Sequence, residues 1–146
     1  MRISHLLDRG YRTAYRLAYP LACKWWSIVG NDGVMAAVWI DDRVLAVRHS
    51  YKLGLQLPGG SMARGETGRL TVVRELREEL GLTIDPQDVT PILTTSCRYG
   101  LVHLFELRLK VMPTVLIDGR EIIHAEFVLP TSIDEWNADI RSYLQI

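Results

Sequence analysis

The sequence predicts a mixed α/β fold in which helices cover a β-sheet. Strand signals lie on both sides of one central helix, and a further helix signal follows them near the end of the chain. The chain has 146 residues, a length that suits one domain. Its residues are 48% hydrophobic and 23% charged, as is ordinary for a globular protein. We therefore expect a single globular domain preceded by an N-terminal helix.

The first predicted element is an amphipathic helix over residues 2–18, where apolar side chains recur at helical spacing. Three arginines gather on another face of this helix: Arg9, Arg12 and Arg16. Pro20 is expected to end it, which divides the chain into an N-terminal helix, 1–20, and a main domain, 21–146. The basic face is interpreted as solvated; the alternatives are contact with a membrane surface, an RNA or a second subunit.

The remaining elements follow in order along the chain. Alternating or continuous apolar runs predict strands at 24–29, 34–40, 44–49, 91–98, 101–111 and within 119–129. A central helix is expected at about 68–80, with Thr67 as its N-cap and Gly81 just after its last turn. Thr131 or Ser132 is expected to cap a final helix near 133–144.

Composition and patterning exclude several classes of protein. The 17 basic and 17 acidic residues give zero net charge, which argues against nucleic-acid binding through bulk charge. No apolar run reaches the ~18 residues of a membrane span, and arginines interrupt any signal-peptide core. Cys23 and Cys97 have no metal-type spacing and are interpreted as reduced thiols. We therefore expect a cytoplasmic protein.

The segment from Leu57 to Leu82 breaks two local rules. Glu75, Glu78 and Glu79 fall within about 100° of arc on the predicted helix, where like charges repel, close to its negative C-terminal end. Taken alone, such a run is most often a solvated face. Here, however, "PGG" precedes the helix and brings exposed backbone close to the carboxylates. Such an all-oxygen site suits Mg²⁺ or Mn²⁺, and a bound cation would remove the repulsion.

At these residues the chain resembles the Nudix hydrolases, whose signature is G-x5-E-x7-R-E-U-x-E-E-x-G-U, with U a bulky aliphatic residue. Every defined position matches: Gly60, Glu66, Arg74, Glu75, Leu76, Glu78, Glu79, Gly81 and Leu82. Seven of these positions demand one residue type, so a chance match at a given start is on the order of 10⁻⁸. The resemblance implies a Nudix-type α/β/α sandwich with a mixed β-sheet.

The resemblance also implies an activity and a set of roles. The reaction is hydrolysis of a nucleoside diphosphate linked to another group X, by a water that Mg²⁺ or Mn²⁺ activates. The metal ligands would be Glu75, Glu78, Glu79 and the carbonyl of Gly59. Arg74 would orient the glutamates and Glu66 would pair with Arg74. A further acid from a downstream loop is Glu121 or Glu126, of which Glu121 is favoured, and Glu79 or Glu121 would accept the proton of the water.

Substrate and partners are less constrained. Tyr99 resembles a tyrosine of diadenosine-polyphosphate-cleaving members, and Tyr99 and Arg48 are the predicted substrate-binding residues. The expected partner is a small nucleoside diphosphate derivative; capped or triphosphorylated RNA and a homodimer stay open. The alternatives are a catalytically silent nucleotide sensor, which should have lost a glutamate of the run, and an isomerase using a cysteine.

Overall fold

The computed structural model describes the backbone of residues 3–29 and 31–146, and the side chains of residues 7–25 and 31–146. Arg2, where the first predicted helix begins, lies outside the described residues. The helices and strands are, in chain order, α1 (Ile3–Val29), β1 (Gly33–Ile40), β2 (Arg43–His49), β3 (Gly59–Ser61), α2 (Gly68–Leu80), β4 (Thr90–Cys97), β5 (Gly100–Arg108), β6 (Ile122–Val128) and α3 (Ala138–Leu144).

The strands of the described chain form one mixed sheet in the order β4-β5-β1-β2-β6. β1 and β5 run parallel, and the other neighbouring pairs run antiparallel. The short strand β3 pairs antiparallel with the first residues of β1, so that Gly59 lies opposite Met35 and Gly60 opposite Val34. The segment predicted as a glycine bend is therefore a short strand, held against the centre of the sheet.

Two buried apolar clusters lie on opposite faces of this sheet. One contains Val72, Leu76 and Leu80 of α2, and the other contains Ile140 and Leu144 of α3. Because the strands contribute buried residues to both clusters, each helix covers one face. The predicted α/β/α sandwich with a mixed sheet is confirmed.

The central helix α2 begins and ends where its local sequence predicts. The Thr67 hydroxyl accepts a hydrogen bond from the Leu70 amide at 3.4 Å, as an N-cap does. Gly81 ends the helix with φ of 67°, and its amide donates to the Arg77 carbonyl. This left-handed conformation favours glycine, so both predicted caps are confirmed.

The N-terminal helix differs from the prediction. α1 continues through Pro20 to Val29, so the strand predicted at 24–29 is helical, and the division placed at residue 20 falls inside one helix. A proline inside a helix removes one hydrogen bond and costs about 3 kcal/mol. Tertiary contacts in the turn before the proline help to offset that cost: Arg16 Nε donates to the Ser50 carbonyl at 2.8 Å, and the Tyr19 ring lies 4.5 Å from the Tyr51 ring.

The final helix is shorter than predicted. α3 begins at Ala138, and its cap is the Asn137 side chain, which accepts from the amides of Asp139 and Ile140. Thr131 and Ser132 lie instead in a single 3-10 turn, Pro130–Ser132. Competition from the better-placed asparagine cap explains the late start. Among the helices described here, none has both the length and the hydropathy that a membrane crossing requires.

Candidate active site

A pocket of about 360 Å³ opens beside the glycine strand β3 and the C-terminal half of α2. Its volume falls within the range of small-molecule sites. Five of the predicted site residues or their immediate neighbours line it: Gly59, Gly60, Glu75, Tyr99 and Glu121. The structure therefore brings these five residues to one place, whereas Glu78, Glu79 and Arg48 are not among the residues that line the pocket.

Arg74 is the centre of an ion-pair network on one side of this pocket. Its Nε and Nη2 atoms both lie 3.0 Å from the Glu66 carboxylate, one to each oxygen. The Thr71 hydroxyl also donates to Glu66, at 2.9 Å. Hydrogen bonding, chiefly from Arg74, lowers the pKa of Glu66 to about 2. The predicted pairing of Glu66 with Arg74 is present, in the two-point geometry that fixes a guanidinium plane.

The same guanidinium reaches the helix glutamates. Arg74 Nη1 donates to Glu75 at 2.7 Å and lies 3.5 Å from Glu78. Burial raises the pKa of Glu75, while Arg74 opposes that shift. A Cβ atom on Gly60 would stand 2.4 Å from the Glu75 carboxyl carbon, so only glycine leaves the carboxylate its place.

Glu79 is the most unusual of the acids. Only 4% of its surface is exposed, and neither carboxylate oxygen has a hydrogen-bond partner. Burial, followed by repulsion from Glu75 and Glu121, raises its pKa to about 9. The Gly59 amide opposes this shift, but its geometry falls short of a hydrogen bond. A buried carboxylate without a partner is costly and calls for a physical explanation.

Glu121 faces Glu79 from a turn that precedes β6. The Tyr51 hydroxyl donates to its Oε1 atom at 2.7 Å, and its carbonyl accepts from the Ser50 amide at 2.8 Å. Burial and the charge of Glu121 raise the pKa of Tyr51, so the phenol stays a donor. Glu126, the alternative acid, is exposed on β6 and pairs with His124 at 3.0 Å. The geometry thus favours Glu121 over Glu126 as the further acid.

His49, at the end of β2, was missed by the sequence analysis. It is 5% exposed, its Nδ1 atom has no partner, and burial lowers its pKa to about 4. One of its ring nitrogens and one carboxylate oxygen each of Glu79 and Glu121 all lie within 4.8 Å of one another. Strand alternation could have identified His49. Leu45 and Val47 face α2, and His49, two residues further along the strand, points to the same face as the acids.

The two predicted substrate-binding residues differ in position. Tyr99 lines the pocket, and its carbonyl accepts from the Asn31 amide at 2.7 Å. Arg48 is exposed and does not line the pocket. Strand alternation places it on the sheet face opposite Val47 and His49, so the structure does not bring Arg48 to the site. Lys52 lines the pocket instead, with its pKa lowered by burial.

These residues fit a divalent cation. The unpartnered oxygens of buried Glu79 lie near Glu75 and Glu121, whose charges raise its pKa. A cation among these oxygens would satisfy them and remove their repulsion, and hard carboxylate oxygens suit Mg²⁺ or Mn²⁺.

Comparison with known proteins identifies the family. The model of the NUDIX domain matches residues 31–145. A MutT-like protein of Streptomyces ambofaciens is 29% identical over 100 residues, which are 68% of this chain and 64% of that protein. The chain thus spans less than two thirds of that relative.

Solved structures agree on the fold. A MutT NUDIX hydrolase from Burkholderia pseudomallei superposes with a TM-score of 0.66 at 17% identity, covering 79% of this chain and 95% of that one. A Caenorhabditis elegans Ap4A hydrolase gives 0.64 at 17% identity, with 79% and 93% covered. The Escherichia coli dihydroneopterin triphosphate pyrophosphohydrolase gives 0.63 at 17% identity, with 78% and 92% covered.

The fold and the glutamate helix define a member of the Nudix class. Because the domain match covers most of the chain, this protein belongs to the Nudix family, and the family predicted from the motif is confirmed. At 17% identity the solved structures establish the fold alone, so substrate and chemistry must be argued from the site itself.

Proposed function

We propose that this protein is a divalent-cation-dependent pyrophosphohydrolase that cleaves the diphosphate linkage of a nucleoside diphosphate derivative. The observation that carries the proposal is Glu79, a buried carboxylate without a partner, one helical turn after Glu75, which lines a glycine-walled pocket. A catalytically silent sensor would have no need to keep so costly a group.

In this proposal Glu75, Glu78, Glu79 and the Gly59 carbonyl hold Mg²⁺ or Mn²⁺. The cation would supply neutralisation of the diphosphate charge and a water of lowered pKa. Arg74 acts as the positioning residue, since its contacts with Glu66 and Glu75 fix the glutamates before any ligand arrives.

Glu121 is the favoured proton acceptor. It lines the pocket, and the Tyr51 hydroxyl holds one of its oxygens. This hydrogen bond fixes the direction of the carboxylate, and a carboxylate held in the pocket can take a proton from water. Glu79, the other candidate, is more deeply buried than Glu121.

The pocket chemistry supports a nucleotide as substrate. Tyr19, Tyr51 and Tyr99 line the pocket, and the Lys52 ammonium lies 5.4 Å from the Tyr19 ring and 5.6 Å from the Tyr51 ring. Aromatic faces can stack on a base while a lysine attracts phosphate. The names Ap4A hydrolase and dihydroneopterin triphosphate pyrophosphohydrolase, borne by two structures of the same fold, are consistent with such a substrate. Cys23 and Cys97 are free thiols, which accords with a cytoplasmic location.

The test is a phosphate-release screen in Mg²⁺ or Mn²⁺ over dinucleoside polyphosphates, ADP-ribose, nucleotide sugars, NADH, nucleoside triphosphates and 5′-capped or triphosphorylated RNA. We expect turnover of at least one class, and loss of most turnover in Glu75→Gln. Glu126→Gln, which removes an exposed carboxylate outside the pocket, is the matched control and should keep full activity. Silence of the wild type across the panel, with nucleotide binding intact, would favour the sensor instead.

A further inference from the structure

A cluster next to the glutamate helix contains a nitrogen ligand that the Nudix motif does not include. His49 comes from the end of β2, Glu79 from the last turn of α2, and Glu121 from the turn before β6. One ligand atom from each lies within 4.8 Å of the others, which is close enough for all three to contact one ion.

Two independent features indicate that the cluster binds something. His49 is 5% exposed and Glu79 is 4% exposed, so water hardly reaches either. Nevertheless His49 Nδ1 and both Glu79 oxygens lack hydrogen-bond partners. Burying such groups unpaired costs roughly 1–3 kcal/mol each, and more for a charge. The cost is explained if a ligand satisfies them.

The fold holds the three elements together by contacts of its own. The Ser50 amide donates to the Glu121 carbonyl at 2.8 Å, which ties the residue after His49 to the acid opposite it. Helix α1 contacts both the segment after β2 and the turn before β6. Arg16 donates to the Ser50 carbonyl, and Arg12 Nε donates to the Gly119 carbonyl at 2.9 Å. The cluster is therefore preorganised before any ligand is present.

We propose that His49, Glu79 and Glu121 form a mixed nitrogen and oxygen site that selects a first-row transition-metal ion, such as Mn²⁺ or Co²⁺, over Mg²⁺. Imidazole nitrogen binds such ions well, whereas Mg²⁺ is held almost only by oxygen. The inference deepens the proposed function, because Glu79 is common to this site and to the one formed with Glu75 and Glu78.

The competing explanation is a structural histidine. The His49 ring lies 5.2 Å from the Tyr51 ring at 37°, a contact that would itself favour burial of a neutral imidazole. In that case His49 would touch no ion, and its replacement would change stability without changing metal preference.

The deciding experiment is pulsed electron paramagnetic resonance of Mn²⁺ bound to the full chain, without substrate, because it detects ¹⁴N coupled to the ion. We expect an imidazole ¹⁴N signal in the wild type that disappears in His49→Gln. The control is His124→Gln, which removes an exposed imidazole beside Glu126 and should leave the signal unchanged. Titration should show Mn²⁺ affinity falling roughly tenfold or more in His49→Gln, with Mg²⁺ affinity almost unchanged.

Wild-type Mn²⁺ without ¹⁴N coupling would overturn the inference, and this measurement does not depend on any variant folding. Equal loss of Mn²⁺ and Mg²⁺ affinity in a folded His49→Gln would overturn it too. These results are distinguishable from failure of the proposed function. Mg²⁺-dependent hydrolysis without ¹⁴N coupling would refute the histidine site and leave the proposed hydrolase activity standing. Conversely, ¹⁴N coupling in a protein that is inactive on the whole panel would refute the hydrolase activity and leave the histidine site standing.

Discussion

Replacing Glu79 with glutamine tests whether its buried carboxylate is as poorly paired as the structure indicates. In the folded, metal-free protein its pKa is about 9, against an ordinary value of 4.5. Because the folded-state pKa is raised, folding favours the protonated acid. The contribution of Glu79 to the free energy of unfolding is therefore fully present below pH 4.5 and is lost as the pH rises towards 9. At pH 7 the loss amounts to about 3 kcal/mol, at 1.36 kcal/mol per pKa unit.

A glutamine at this position keeps the shape of the neutral acid and does not titrate. We therefore expect the free energy of unfolding of Glu79→Gln, relative to the wild type, to rise by about 1.4 kcal/mol per pH unit between pH 5 and 9. Urea unfolding in a chelator at four pH values measures this slope. Glu78→Gln is the matched control: the Glu78 side chain is 54% exposed, and its replacement should give no such slope.

If the difference in free energy of unfolding between Glu79→Gln and the wild type does not change with pH over this range, the burial argument is refuted. Added Mg²⁺ or Mn²⁺ provides the second half of the test. A cation at 100 times its dissociation constant should stabilise the wild type by about 2.7 kcal/mol, with a much smaller effect on Glu79→Gln. The variant should also lose most turnover while remaining folded.

Two further predictions concern the shape of the pocket and its proposed base. Gly60→Ala should fold but displace the flexible Glu75 carboxylate and lose most activity. Gly59→Ala should instead disrupt the β1–β3 pairing, because its Cβ would lie 2.1 Å from a backbone carbonyl oxygen. Circular dichroism and turnover, measured together, distinguish these two results. Tyr51→Phe removes the hydrogen bond to Glu121, and kcat should fall roughly tenfold with little change in KM. A tenfold rise in KM with kcat unchanged would contradict the role of Tyr51 in orienting the proton acceptor.

The helix that carries the glutamates was predictable because its signals are local. Thr67 and Gly81 mark its ends through contacts within a few residues, and its apolar residues repeat at helical spacing. Strands β1, β2 and β5 beneath it were predictable for the same reason, whereas β3, which also packs against it, was predicted as a glycine bend. Such segments need little from the rest of the chain to adopt their structure.

α1 and α3 were predicted less well because distant or competing contacts decide their bounds. Pro20 normally ends a helix, and the contacts of Arg16 and Tyr19 with the segment after β2, which hold α1 in place before the proline, are not visible in the local sequence. For α3, Asn137 takes the capping role that was assigned to Thr131 or Ser132. No local rule ranks such alternatives.

The site divides along similar lines. Glu66, Arg74 and Glu75 follow from motif spacing, and the structure joins them by hydrogen bonds. His49 depends on which face of β2 is nearest the acids, and Arg48 falls on the other face. Arg48 and His49 are neighbours in the strand and therefore point to opposite faces of the sheet. The order of the strands in the sheet decides which of these faces carries the pocket.

The most direct test of the account is titration of Mg²⁺ and of Mn²⁺ into the metal-free 146-residue chain by calorimetry. We expect saturable binding that is lost in a variant combining Glu75→Gln with Glu79→Gln, and retained in Glu126→Gln. A folded wild-type protein that takes up neither ion, with or without a nucleoside diphosphate, would contradict the claim that these carboxylates form a cation site.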